Sequence, residues 1–415
     1  MFEFKSYSFD YLTGTATFSY KGSNDITYIE RIEFNLPSHP LSPARQALLM
    51  NALFLASVIL GTSYYKTAPT PKVKLNTPID QVQADFFTQI YQEGLGQFAF
   101  ENNLTRNNLA TFEATKTDKD TDPAFPIQSD TIAPTTPNII SDQELGMPLL
   151  LLSGGKDSLL TAEMLSRNNT TFKSVYISNS DTDLPDIISS YGNPLVIRRH
   201  IDKEALQKSA GLNGHVPITL INEVVALIQA ILSDSAEIYI GLGREGEEPH
   251  ARIDDLVVNH QWSKTPTTQH ALKSYIKSYI TPDIQIKSLL ESKNELEIAG
   301  EFVKLCWEKF GDQFSSCNVA NYKQGSQNKS LKWCGKCPKC ANSFLLFAPY
   351  LPLEKQPFGH DLFLDPDLTD TFKGLLGVDG FMKPFECVGE ISELREAYAN
   401  RQKSYGSLPF TVPNS

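Results

Sequence analysis

The string Ser153-Gly154-Gly155-Lys156-Asp157-Ser158 stands between the apolar run 147–152 and the helix-forming run 159–165. A strand, a glycine turn and a helix start in that order make a phosphate cradle. Glycine lets backbone N–H groups approach an anion, and the helix N-terminus adds unpaired donors and its dipole. Ser153 and Ser158 add hydroxyls, while Asp157, itself negative, suits Mg²⁺ held against a pyrophosphate. Adjacent glycines exclude the Walker A spacing, and the string is no dinucleotide fingerprint. The second chemical pattern is Cys317, Cys334, Cys337 and Cys340, a C-x16-C-x2-C-x2-C array with Gly335 and Pro338 supplying turns. It suits a structural tetrahedral zinc, with an iron–sulfur cluster as the sharper competitor and unligated thiols as the third reading. Of the remaining cysteines, Cys306 lies in an apolar helical run and reads as packing, and Cys387 is open.

The elements that must position these residues are legible from periodicity. Residues 2–9, 15–20 and 26–34 alternate like strands of an antiparallel meander, and helices are expected over 43–60 and 78–94. The segment 115–144, rich in Asp, Thr, Pro and Ser, reads as a linker. Beyond it strands (149–152, 172–177, 195–198, 237–240, 285–287) alternate with helices (158–166, 218–232, 268–279). The expected fold is therefore α/β, a parallel twisted sheet with its ligand at the carboxyl ends of the strands. The domain reading is an amino-terminal α+β domain (1–114), the linker (115–144), a nucleotide-binding domain (145–300) and a Cys-rich carboxyl-terminal extension (301–415).

The chain has 415 residues, 41% of them hydrophobic, enough for sizeable cores. Acidic residues outnumber basic ones 48 to 37, a net charge of −11, and no basic stripe interleaves with aromatics, so nucleic acid is not an expected partner. The amino terminus lacks a basic-then-apolar leader pattern. The longest apolar stretch, 48–60, is too short to span a bilayer, so the expectation is a cytoplasmic protein with no membrane segment. Oligomeric state is not readable.

The S-G-G-x-D-S string resembles the PP-loop of the ATP pyrophosphatases, which cleave ATP to AMP and pyrophosphate while adenylating a substrate. A wider set of strings is more specific: Ser153 to Ser158, Asn213-Gly214-His215-Val216-Pro217, the run from Val258 to Lys264, Phe314-Ser315-Ser316-Cys317-Asn318, the run from Trp333 to Cys340, and the run from Lys383 to Glu390. Together with 61–66 and 94–99, they resemble the MurL-type UDP-N-acetylmuramoyl-L-alanyl-L-glutamate epimerases. The resemblance implies ATP-dependent inversion of the terminal L-glutamate of UDP-MurNAc-L-Ala-L-Glu through an acyl-adenylate, with ATP and Mg²⁺ as cofactors. Such a reaction needs a base and an acid on opposite faces of the α-carbon. The candidates within the shared strings are His260, Cys387, Glu386, Lys264 and His215. His260 is the first choice. Cys387 would need a lowered pKa, to which its neighbour Lys383 is expected to contribute. The loop 241–252 follows an expected strand and should border the site, without a clear match to the family. Two competing functions remain open: another PP-loop enzyme such as a 7-cyano-7-deazaguanine synthase, and a non-catalytic nucleotide sensor or assembly protein.

Overall fold

The computed structural model describes residues 1–115, 139–179, 184–244, 246, 248–323 and 330–413. Most of the expected linker, 116–138, lies outside them. One nine-stranded sheet runs through the molecule. Its strands in chain order are β1 (Phe2–Asp10), β2 (Thr15–Lys21), β3 (Thr27–Glu33), β4 (Val73–Lys74), β5 (Leu149–Leu151), β6 (Lys173–Ser178), β7 (Leu195–His200), β8 (Glu237–Tyr239) and β9 (Gln285–Lys287). Across the sheet the order is β9-β8-β5-β6-β7-β3-β2-β1-β4.

The five strands from β9 to β7 are parallel. Parallel strands need covered faces, and alternate residues of each strand supply them. Leu149 and Ile238 enter one apolar core, whereas Leu150 and Tyr239 enter the other. The chain leaves the central strand β5 toward β6 and β7, then crosses back to β8 and β9. This reversal opens a crevice at the carboxyl ends of β5 and β8.

The meander was expected to belong to a domain of its own. Instead, β3 pairs antiparallel with β7, with Ile32 opposite Arg199, and carries the parallel sheet onward into β2 and β1. At this seam the Arg199 guanidinium donates to Glu30 and, at 2.9 Å, to Ser63, with both charged side chains buried. The first core is likewise shared between residues of the meander and of the later strands and helices.

The first helix, α1 (Pro43–Tyr65), starts at a Ser42 cap with Pro at its first position and runs past the apolar stretch to 23 residues. That length and its mean hydropathy of 1.7 would suffice to cross a bilayer, contrary to the sequence reading, but 78% of the apolar window is buried inside the fold. Two short helices follow, α2 (Gln81–Gln92) and α3 (Gly96–Glu101). Later in the chain come α4 (Lys156–Arg167), α5 (Ile218–Leu232), α6 (Pro266–Tyr279), α7 (Glu295–Leu305), α8 (Pro338–Phe347) and α9 (Ile391–Ala399), of which α5 and α6 share the first core with α1. The carboxyl-terminal helices α8 and α9 pack with α4 and α7 in the second core.

Candidate active site

The glycine string forms the turn from β5 into α4. Gly154 sits at φ +81°, where a Cβ would also strike Leu331 at 2.7 Å, so glycine is required on both counts. Ser158 locks the turn, its hydroxyl accepting from the Ser153 N–H (3.3 Å) and donating to the Gly155 carbonyl (3.1 Å). On the far side of the crevice, a Cβ at Gly241 would stand 2.7 Å from the Asp157 backbone, so the exit of β8 lies flush against the start of α4.

A cavity of about 280 Å³ opens above this turn. Ser153, Gly155, Asp157 and Ser158 line it, together with the ends of β6 and β8, the first turns of α5, Asn318 and Lys339. Gly154 and Lys156 do not. Lys156 is buried and turned inward, its ammonium 2.5 Å from Asp157 and 2.6 Å from Glu295. Burial alone would lower the Lys156 pKa, but the two carboxylates outweigh it and hold the ammonium above its ordinary value. Glu223, fully buried on α5, also reaches the cavity wall. Its Oε2 accepts from Gln269 at 3.0 Å, and burial pushes its carboxyl up to about 8.

Next to the cavity the five catalytic candidates converge from distant segments. The His260 Nε2 is 3.6 Å from the Cys387 Sγ, and its Nδ1 is 2.6 Å from the Gln97 Oε1. The His215 ring packs on His260 with centroids 4.4 Å apart. The loop carrying His215 is pinned from α1, where the Lys66 ammonium donates to Asn213 Oδ1 (2.7 Å) and the Gly214 carbonyl (2.8 Å). Glu386 accepts from Asn318 at 3.4 Å, and Asn318 lines the cavity. One hydrogen bond thus links the segment bearing Cys387 to the crevice.

Burial sets the electrostatics here. It lowers His260 to about 4 and His215 to about 3, so both imidazoles are neutral near pH 7. For Cys387, burial would raise the thiol pKa, but the ammonium charges of Lys264 and Lys339 overcome it and bring the thiol below its ordinary value. Lys383, expected to do this, is engaged elsewhere. Its ammonium lies 2.6 Å from Glu248.

The loop 241–252 does border this site, within its described residues. Glu248 accepts from Lys383 and from the Ile391 N–H, and His250 stacks on Phe385 with centroids 5.5 Å apart at 19°. Sequence reasoning passed over Gln97, Glu101, Glu223, His250 and Lys339. Three carried a local signal: Lys339 lies between two of the clustered cysteines, Gln97 within the string 94–99 and His250 within the loop 241–252.

The four cysteines meet. Their sulfurs lie within 4.8 Å of one another, with Cys317–Cys337 at 3.8 Å, Cys334–Cys340 at 3.6 Å and Cys337–Cys340 at 3.5 Å. A cluster of this geometry can hold a single metal ion. Cys306 stays apart, buried among apolar side chains as expected.

Known proteins are similar in sequence over most of the chain. A family profile described as the MurL N-terminal domain matches residues 1–289, the whole span of the sheet, and one described as the MurL C-terminal domain matches residues 313–406. A UDP-N-acetyl-alpha-D-muramoyl-L-alanyl-L-glutamate epimerase of Salinispora tropica is 33% identical over 400 residues, covering 94% of this chain and 82% of the relative. Proteins of the same name from a Micromonospora species (33% identical; 94% and 84% covered) and Xanthomonas oryzae pv. oryzae (29% identical; 96% and 85% covered) are similar over nearly the same span.

Proposed function

The chain belongs to the MurL family, and from that premise we propose that it inverts the terminal L-glutamate of UDP-MurNAc-L-Ala-L-Glu to D-glutamate, driven by ATP cleavage to AMP and pyrophosphate. The observation that carries this reading is the adjacency of two machines. A phosphate-cradling crevice and a Cys–His pair stand one hydrogen bond apart, through Asn318 and Glu386.

In this reading the nucleotide occupies the cavity, its phosphates facing the first turn of α4 and the hydroxyls of Ser153 and Ser158. The crevice suits it because Gly155 brings no side chain to the wall and Asp157 stands there beside it. Asp157 would hold Mg²⁺, which supplies charge neutralisation to the pyrophosphate leaving group. The α-carboxylate of the terminal glutamate attacks the α-phosphorus; a C–O–P bond forms and pyrophosphate departs. Loss of the carboxylate charge makes the α-proton removable, since the carbanion's electron pair now delocalises into an activated carbonyl. Cys387, favoured as thiolate by Lys264 and Lys339, takes the proton, and a second acid returns one to the opposite face. Water then cleaves the adenylate to D-glutamate and AMP.

The cysteine cluster would hold zinc. A tetrahedral ion with Zn–S bonds of about 2.3 Å sets its sulfurs about 3.8 Å apart, which matches the observed spacing, whereas a multinuclear iron–sulfur cluster spreads its thiolates wider. A UDP-linked substrate and unpaired cysteines both suit the cytoplasm.

The test is a reaction in D₂O with ATP, Mg²⁺ and UDP-MurNAc-L-Ala-L-Glu. AMP should form, and the product D-glutamate should carry deuterium at its α-carbon. Asp157→Ala should abolish turnover with an unchanged circular dichroism spectrum. Stoichiometric ADP, or AMP without inversion, would overturn the reading.

A further inference from the structure

We propose that Gln97, aimed by Glu101, is a positioning residue that fixes His260 in the tautomer able to take the Cys387 proton, and so prepares the thiolate that acts on the substrate. This rests on the epimerase reading and adds to it the device that readies the base.

Donors and acceptors fix the tautomer. Glu101 Oε1 lies 2.7 Å from the Gln97 amide nitrogen, and a carboxylate oxygen only accepts, so the amide must present its NH₂ end to Glu101. Its oxygen then faces His260 Nδ1 at 2.6 Å. An amide oxygen also only accepts, so Nδ1 carries the hydrogen. In a neutral imidazole that leaves the lone pair on Nε2, aimed at the Cys387 sulfur 3.6 Å away. The thiol proton can pass from Sγ to Nε2 without another reactant, and both N–H groups of the resulting imidazolium have acceptors, the Gln97 oxygen and the thiolate. When the thiolate takes the α-proton, the C–H bond breaks, an S–H bond forms, and the electron pair stays on the α-carbon. Gln97 is buried on α3, 163 residues from His260, so the half of the chain remote from the nucleotide loop completes the site.

A purely structural role for Gln97, tying α3 to the cleft, predicts lost stability with the thiol chemistry unmoved. The discriminating readout is therefore the pH dependence of Cys387 alkylation by iodoacetamide, followed by peptide mass mapping on the full-length, metal-loaded protein without nucleotide or substrate. The groups facing His260 and able to shape that profile are His215, His250, Cys387, Glu101, Glu386, Lys264 and Lys339; all are unchanged in Gln97→Leu. That variant should slow alkylation near pH 7 about tenfold and move the midpoint up by about one pH unit, and it should slow ATP-dependent α-deuterium exchange roughly 10- to 100-fold, short of losing an acid–base group outright. The double variant Gln97→Glu/Glu101→Gln keeps an acceptor at Nδ1 and should restore most of both. Since Gln97 is buried, the exposed Glu101→Ala offers a variant without folding risk; with its amide free to turn over, a smaller shift in the same direction is expected. An alkylation profile unmoved in both Gln97→Leu and Glu101→Ala overturns the proposal. If the profile shifts as expected while wild-type protein forms no AMP, the tautomer assignment stands and the epimerase reading fails.

Discussion

Glu223 is a carboxyl group at the cavity wall with no cation bonded to it among the described residues, and burial decides its state. With a folded pKa of about 8 against an ordinary value of 4.5, it keeps its proton in the folded protein where the unfolded chain has lost it. The stabilisation is complete below about pH 4.5 and is lost as pH rises through 8. Glu223→Gln, which cannot ionise, should therefore gain stability relative to wild type progressively between those limits, as read from urea midpoints at several pH values. A difference that stays constant across the window would contradict the neutral carboxyl. At this scale the sequence was a partial guide. His260, Cys387, Glu386, Lys264 and His215 were all legible as candidates because they sit in recognisable strings, and the fold does gather them. Which lysine governs the thiol was not legible, since Lys383 is near Cys387 in sequence but bound to Glu248, whereas Lys264 and Lys339 reach it through space.

Among elements, the cysteine knuckle has a second use beyond closing the fold. Lys339 lies between Cys337 and Cys340 at the first turn of α8, at the cavity wall, so an ion held by those sulfurs would also fix this lysine there. Elemental analysis should find about one zinc per chain. Cys317→Ser should lower both the metal content and the melting temperature, and weaken binding of a non-hydrolysable ATP analogue because Lys339 loses its support. Unchanged nucleotide affinity in a zinc-depleted protein would show the knuckle and the crevice to be independent. Elements themselves were largely readable. The period of apolar residues located Ile218–Leu232 and Gln285–Lys287 to the residue, and most other boundaries within two or three. The exceptions were β4, α3, α7, α8 and α9, for which no bounds were read, and α1, which continues through Gly61-Thr62-Ser63-Tyr64-Tyr65 because tertiary burial sustains a helix that local propensity would end.

For the whole molecule, the joint between the two halves is the buried pair Glu30 and Arg199. Arg199→Met removes one partner and strands the other charge, which should cost roughly 3–5 kcal/mol, measured as a shift in urea unfolding. Replacing both, as in Arg199→Met/Glu30→Leu, should recover most of that loss. A single variant as stable as wild type would mean the joint is held by the strand pairing and the shared apolar core without the ion pair. No local signal announced this joint, because β3 and β7 each read as ordinary strands and nothing within either names its neighbour.

The same joint bears on how the protein is made. Glu30 and Arg199 are 169 residues apart in sequence, so during synthesis the meander leaves the ribosome long before the strand that will cover its flank exists. Until then β3 presents a row of open N–H and C=O groups, ready to pair with any extended segment nearby. The growing chain thus carries an open edge while those 169 residues are made, and a chaperone that covers the edge over that interval should raise the yield of folded protein.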